Sequence, residues 1–551
     1  MTGDVSALIA RGDHLFGKRE TLLTFWQEVA ENFYPERADF TVTRVPGQDF
    51  AENLVTSTPL LTRRDLGNSL GTMMRPTSIQ WFHTTTDRED DIEQGDKQWL
   101  EWANGVQKRM MYDRRSQFTR ASKESDHDIA AFGQSVKTVE LNRNADGLLF
   151  RCWHLRDCAW AEDCNGQINT VHRKWKPCAI DLVNMFGPAC HSKVGDMMVG
   201  SQKKPYAEVN CRHIVMPAED YDGEFLGKGR PGVKYVSVYI DVDNKHIMEA
   251  VGQRWFMYVI PRWQTVSGSQ YAYSPATVCA LPDARLLQAM TLTLLEAGEK
   301  AVNPPMVSVQ GALRSDLAIY AGGVTFVAED YDERSGDPLR PLYNDKNGIP
   351  YGMEMRNDIR ATLQEAFFLD KLTLPERGPE MTAYEVGQRV QDYIRQASPL
   401  FEPLEDEDNG AVCETVFEVM MAAGAFGAVE DIPENLRGAD IKFKFESPLH
   451  DAIERQKVTK FFDASQMIAQ AVALDPTAPA QVDIKTAFRD AMSVVVPAKW
   501  MRSEQDADAI IEAQQEAQQT QELLATIQQG GEAAKAVGEG SAALGPEALA
   551  A

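Results

Sequence analysis

The stretch that decides the fold is ALPDARLLQAMTLTLLEAGEKAVNPP, residues 280–305. Pro282 suits the first turn of a helix, where its missing N–H is not needed, and Asp283 complements the positive end of the helix dipole. Leu286, Met290, Leu294, Ala297 and Ala301 recur at three- and four-residue steps and predict one apolar stripe. Asn303-Pro304-Pro305 ends the segment. At about 1.5 Å per residue the helix is roughly 30 Å long.

Downstream, residues 306–350 read as short strands and Pro-, Asp- and Gly-rich loop. A second helix of similar length is expected over 353–372, with Met355, Ile359, Leu363, Ala366 and Phe367 on one side. A β-containing excursion therefore sits between two matched helices. The loop 373–380 carries Pro375, Gly378 and Pro379, and Thr382-Ala383-Tyr384-Glu385 forms a capping box. The helix that it opens is expected to kink or break at Pro399 and Pro403 and to resume through Val412, Val416, Val419 and Met420. Further helices are expected over 449–473, 480–492 and 503–529. From Gly530 the Gln-, Ala-, Glu- and Gly-rich composition buries too little apolar surface to order itself.

Upstream, 8–34 reads as one helix ended by Pro35, 59–74 as another, and 93–111 as a third with Trp99, Trp102, Val106 and Met110 as its core stripe. Residues 133–265 change character. Runs rich in Val, Tyr, Trp and Phe (135–141, 147–154, 234–241, 255–263) alternate with Gly, Asn and Asp, and 144–147 and Asp243-Asn244 read as hairpin turns. The fold class is α+β, mainly helical.

The chain has 551 residues, 56 Lys and Arg against 81 Asp and Glu, and a net charge of −25. Hydrophobic content of 43% supplies a sizeable core, which excludes global disorder. The acidity disfavours a protein held to DNA by bulk positive charge. No apolar run is read as long enough to cross a bilayer, no secretory signal is legible in residues 1–11, and eight cysteines are too few for a disulfide scaffold, so they read as reduced thiols.

The sharpest chemical candidate is a Cys/His cluster. Cys152, Cys158, Cys164, Cys178, Cys190 and Cys211 lie within 60 residues, interleaved with His154, His172, His191 and His213. These are preferred zinc ligands, but no C-x₂-C pair is present and the spacings match no tetrahedral knuckle, so buried thiols are the favoured reading. Gly227-Lys228-Gly229 is the nearest string to a phosphate loop and lacks its spacing and its hydroxyl. Asp241-Val242-Asp243-Asn244 superficially resembles the start of a calcium loop, without the Gly and terminal Glu that such a loop needs. The run Glu405-Asp406-Glu407-Asp408 reads as a solvated loop or helix start. The basic clusters Arg63-Arg64, Lys108-Arg109, Arg114-Arg115, Arg173-Lys174-Lys176 and Lys203-Lys204 read as solvated faces or subunit salt bridges. No cofactor is implied, and no catalytic residue is identified.

Residues 280–285 and 294–305 resemble the head-to-tail connector, or portal, family of short-tailed bacteriophages. So do Met381–Arg389, Phe445-Glu446-Ser447-Pro448-Leu449, and the helix from Ser503-Glu504 into Gln- and Ala-rich sequence; the order of elements matches over about 8–529. The resemblance implies a ring of twelve subunits at a unique capsid vertex, assembled in the host cytoplasm, with a channel through which double-stranded DNA is packaged and ejected. It divides the chain into a wing (1–281), a first stem helix (282–305), a clip (306–350), a second stem helix (351–372), a tunnel loop (373–381), a kinked wing helix and return (382–447), a crown (448–529) and a tail (530–551). The tunnel loop would be Leu374, Pro375, Glu376, Arg377, Gly378, Pro379 and Glu380, with Arg377 the candidate for weak phosphate contact. Stem residues would be Asp283, Arg285, Leu286, Met290, Leu294, Lys300, Ile359, Leu363 and Phe367. The clip, with Val307, Val309, Val324, Phe326 and Arg340, would dock the terminase large subunit and later the tail adaptor. Implied partners also include the tail, major capsid and scaffolding proteins, with no membrane and no enzymatic activity. The Cys/His enrichment of 152–213 is a departure from the family pattern. It keeps a zinc enzyme or zinc-stabilised binding module as the alternative, with another virion ring protein such as a tail adaptor as a third reading.

Overall fold

The computed structural model describes residues 4–45, 47–51, 54–77, 79–87, 94–199, 203–308, 313–316, 318, 324–329, 332, 334, 337, 339–342, 348–369, 399, 401–438, 440–445, 461–462, 464–470, 483–495, 507, 509–510 and 513–514. The chain divides into a larger unit (1–82, 105–427, 443–452) and a smaller one (83–104, 428–442, 453–551).

The larger unit begins with α1 (Val5–Lys18) and α2 (Glu20–Phe33). The single helix expected over 8–34 is broken at Arg19, where φ is −107° and ψ 10°. The cause is the buried Arg19 guanidinium, which donates to the Leu155 carbonyl at 2.5 Å and to the Arg156 carbonyl. α3 (Thr58–Met74) and α5 (Phe118–Phe132) cross closely because α3 presents glycines: a Cβ at Gly67 would lie 2.4 Å from His127 Nδ1, and one at Gly71 2.8 Å from Asp126 Oδ2. Between them in the sequence lies α4 (Gln94–Met111). Its buried residues are Asp96, Leu100, Ala103, Asn104, Gln107 and Met111, while Trp102 is exposed, so the Trp99–Met110 stripe expected as core is displaced round the helix.

The β region forms two antiparallel sheets. β1 (Val136–Leu141), β2 (Leu148–Trp153) and the short β8 (Tyr258–Val259) make one of order β2-β1-β8. β3 (Cys158–Glu162), β4 (Ile168–Trp175), β5 (Cys211–Pro217), β6 (Tyr235–Asp241) and β7 (His246–Gln253) make the other, in sequence order. The expected turns fall at the β1–β2 and β6–β7 connections, where Ala145 and Lys245 take φ of 55° and 50°. Only Tyr258–Val259 of the strand expected over 255–263 pairs regularly. The helices α6 (Ala179–Phe186) and α7 (Ser192–Asp196) sit between β4 and β5. α1 lies on the larger sheet, with Leu8 packing among Ile214, Val236 and Ile240. Gly12 makes that seat possible, since a Cβ there would lie 2.5 Å from Arg212 and 2.6 Å from His172.

The main core gathers Trp26 and Phe33 of α2, Leu66 and Leu70 of α3, Phe132 of α5, and Trp160 and Trp263. It also takes in Leu281, Ala284 and Leu287, the first turns of α8 (Leu281–Val302), together with Leu363 and Phe367 at the end of α9 (Gly348–Ala366).

In the smaller unit, Thr84 N donates to Asn104 Oδ1 at 3.1 Å and Asn435 Nδ2 to Asp96 Oδ2 at 3.2 Å. Lys442 pairs with Asp87 at 2.5 Å. The helix expected over 480–492 is Ile484–Val495, and Phe488 lies 5.9 Å from Phe461 between ring centroids.

Candidate functional site: the paired helices and the buried charge network

α8 is preceded by a π-helical turn, Ala276–Ala280. Its buried stripe is Leu281, Ala284, Leu287 and Thr291, not the predicted one. Leu286 is exposed, and Met290 and Leu294 are half-buried. The displacement follows from the core, which meets the helix only over its first turns and on the face of Leu281, Ala284 and Leu287. Polar bonds tie the same end down. Gln288 Oε1 accepts from Val55 N and Thr56 N at 2.9 Å each, its Nε2 donates to Thr56 O at 3.0 Å, and Arg285 Nε donates to Glu28 Oε1 at 2.6 Å.

α9 runs back along α8. A Cβ on Gly352, near the start of α9, would lie 2.7 Å from Leu294 Cδ2, while Phe367 at its end packs on Phe33 at 5.5 Å between ring centroids. The helix begins five residues before the expected 353, because Pro350 falls in the first turn, where a missing N–H breaks no bond. Leu363 and Phe367 are buried and Ile359 half-buried, as the stripe required, but Met355 is exposed.

Beyond the rooted end the pair is apolar and uncovered. Leu292 is 48% exposed, Leu295 55%, Tyr351 65% and Val302 88%. Asp283 is half-buried and Lys300 exposed. The helical run Ala276–Val302 is, by length and composition, long and apolar enough to cross a membrane, which corrects the sequence expectation; its first turns are instead built into the protein core. Arg356 and Arg360 of α9 each bury a guanidinium Nε that lacks a hydrogen-bond partner among the described residues.

Between the helices, β9 (Met306–Ser308) and β10 (Leu339–Pro341) form an antiparallel pair with Val307 opposite Arg340. Leu313 bridges Val327, and Arg314 N donates to Phe326 O at 2.9 Å. Val324, Phe326 and Arg340 are exposed and Val307 half-buried. Val309, the loop residues Leu374 to Glu380 and the capping box at Thr382 lie outside the described residues.

Sequence reasoning missed the polar centre of the larger unit. The acidic run expected to be solvated is a π-helical segment, Glu405–Gly410, leading into α10 (Ala411–Ala422). Asp408 is buried and accepts from Arg75 Nη1 at 2.9 Å and from Lys137 Nζ. Arg75 also donates to Asn409 Oδ1 at 2.9 Å and to Asp126. Burial pushes the Asp408 carboxyl up, but Lys137 and Arg75 outweigh it and hold it below the ordinary value; Asp126, with burial dominant, lies above. Glu407 holds Arg262, accepting from its backbone N at 2.8 Å and its Nε at 3.1 Å. Neighbouring carboxylates of this segment thus meet different cations, Asp408 meeting Arg75 and Lys137 and Glu407 meeting Arg262.

The Cys/His residues do not converge. Burial pushes the Cys158 and Cys211 thiols up to about 12. Cys152 faces Asp128 and its thiol lies well above the ordinary value, burial being the main cause. Cys190 donates to the Leu182 carbonyl at 3.3 Å, Cys178 is half-buried, and Cys164 is exposed. His213 bonds Tyr258 OH at 2.7 Å and Ser237 Oγ at 2.8 Å, while His154 and His191 cap the backbone N–H of Arg156 and Lys193. His172 is fully buried, and neither ring nitrogen has a hydrogen-bond partner among the described residues. Among the described residues no group of three His, Cys, Asp or Glu side chains could hold a metal ion. In the Asp241–Asn244 turn Asp241 Oδ1 accepts from Asn244 N at 3.0 Å, and Asp243 Oδ2 accepts from Asn210 N at 3.0 Å, so both carboxylates are taken up by the protein's own N–H groups. Of the basic clusters, Arg63 and Arg173 are interior: Arg63 donates to the Phe33 carbonyl at 3.0 Å, and Arg173 lies over Trp153 and donates to Tyr258 OH at 3.1 Å.

Comparison with known proteins places this architecture. The profile of the bacteriophage head to tail connecting protein family matches residues 5–499, and the chain belongs to that family. The chain is 25% identical to the probable portal protein of Bordetella phage BPP-1 over 81% of this chain and 79% of that one. It is 23% identical to the portal protein of Salmonella phage epsilon15 over 95% and 94%. A chain in the neck of a native gene transfer agent particle aligns over 74% of this chain and 89% of its own at 10% identity and a TM-score of 0.32, too loose to carry a structural argument. The protein therefore serves as a head-to-tail connector of a phage particle, and its α+β fold is a virion component.

Proposed function

We propose that this chain is the portal subunit. Twelve copies close into a ring at one capsid vertex, and double-stranded DNA passes through the central channel during packaging and ejection. The observation that carries this is the uncovered apolar length of α8 and α9. Leu292, Leu295, Tyr351 and Val302 present a surface that one chain leaves in water and a neighbouring copy would bury.

On this reading α8 and α9 are the stem. Residues 306–350, with Phe326, Val324 and Arg340 exposed, are the clip that meets the terminase large subunit and then the tail adaptor. The wing, with its two sheets, faces the capsid, and residues 448–529 are the crown. Leu374 to Glu380 form the tunnel loop. The net charge of −25 per copy suits a conduit through which DNA slides without being held. The chain performs no chemistry of its own, and its motor is a separate protein. Assembly takes place in the host cytoplasm.

Native mass spectrometry and negative-stain imaging test the reading: closed rings near twelvefold are expected, and a stable monomer at micromolar concentration overturns it. Deleting Pro375–Glu380 should leave rings intact and impair packaging or DNA retention.

A further inference from the structure

The string Gly227-Lys228-Gly229, which failed as a phosphate loop, begins at a groove of about 440 Å3 on the larger unit, with Gly227 in its lining. Leu226 runs parallel to β7, with its N bonded to Ala250 O and its O accepting from Gly252 N, both at 2.9 Å. The following turn returns over the end of β7. Gly227, Gly229 and Gly232 take φ of +94°, +79° and +83°, conformations that L side chains rarely adopt. Gly252 permits the close approach, because a Cβ there would lie 2.8 Å from Val233 and 3.0 Å from Phe225. The groove is thus held by backbone geometry on both sides.

Its chemistry is mixed in a specific way. Leu226, Val233, Val251, Trp255 and Met421 form an apolar wall. Arg230 and Arg254 stand exposed at it, with no carboxylate partner among the described residues. Each feature asks for a different complement: an apolar side chain, and two carboxylates for the guanidinium forks. An acidic polypeptide supplies both, whereas phosphate supplies no apolar group. In a chain of charge −25, two such arginines beside exposed apolar surface are a local reversal that selects an acidic partner.

We propose that this groove docks an extended acidic peptide segment of a partner protein. One apolar side chain packs against Trp255 and Met421, and flanking carboxylates pair with Arg230 and Arg254.

The test uses the full-length protein and a fluorescein-labelled Glu-Leu-Asp-Glu-Val-Asp peptide, read by anisotropy. Wild type should bind, and the Arg230→Glu/Arg254→Glu variant should bind at least about tenfold more weakly. The Gln/Asn version of the peptide should not bind. Failure of wild type to bind at millimolar peptide, equal binding by the double variant, or equal binding of the neutral peptide overturns the proposal. Displacement of the peptide by equimolar inorganic phosphate also overturns it, and makes the groove a simple anion site. Both arginines are exposed, so the double variant should melt with wild type; if it does not, Arg254→Gln serves with the same readout.

Discussion

Arg75 Nη1 donates to Asp408 Oδ2 at 2.9 Å, joining the end of α3 to the π-helical entry of α10 across 333 residues of chain. Both side chains are buried, and Lys137 and Asp126 complete a neutral group of two cations and two anions. Asp408→Ala leaves Arg75 and Lys137 without their shared anion. Removing one partner of a buried pair costs about 3–5 kcal/mol, so urea denaturation of the variant should show a loss of that order. Asp408→Asn, which keeps the shape and some hydrogen bonding, should lose less.

Acid should destabilise the larger unit before carboxylates protonate. Burial, helped by Arg212, lowers His172 to about 3, and burial, helped by Arg63, lowers His127 to about 4. A group whose folded value lies below its unfolded one, near 6.5, takes up a proton more readily unfolded. The stability it contributes is therefore full above about pH 6.5 and falls as pH drops toward the folded value. Between pH 7 and 5 the loss should be about 2 kcal/mol per histidine. Melting curves across that range check it, and His172→Asn should flatten the profile.

Gly133 has φ of +77°, and a Cβ there would lie 2.2 Å from the backbone carbon of Tyr273. Neither the conformation nor the clash can relax through a side-chain rotation. Gly133→Ala should destabilise by about 3 kcal/mol or more, read as a fall in the denaturation midpoint.

Leu292→Asp with Leu295→Asp changes only exposed residues of α8. The fold of the single chain should be unaffected by circular dichroism, while ring formation by native mass spectrometry should fall sharply. Rings that survive both changes would remove this face of α8 from the subunit interface.

How far these features were legible in the sequence depends on the range of the interactions that make them. The two long helices and the β1–β2 and β6–β7 hairpins follow from local periodicity and turn chemistry. The face of α8 that is buried does not: the helix touches the core only at its first turns, so Leu286 satisfies the apolar repeat and still faces outward. The break at Arg19 and the interior fate of Asp408 were illegible for the same reason. Their partners, Leu155 in one case and Arg75 and Lys137 in the other, are more than a hundred residues away. A run of four carboxylates looks solvated until the fold delivers cations to it.

The fixed base and projecting length of α8, with α9 packed along it, make the pair a lever. Leu281 to Leu287 are anchored, and about 16 Å of helix lies beyond Thr291 at 1.5 Å per residue. A tilt of about 10° at the base would carry Val302 sideways by about 3 Å over that length. The Gln288–Thr56 bonds and the π-helical turn before Leu281 lie at the fulcrum. Displacements too small to disturb the core would thus reach the β9–β10 end magnified, which gives events at one end of the molecule a mechanical route to the other.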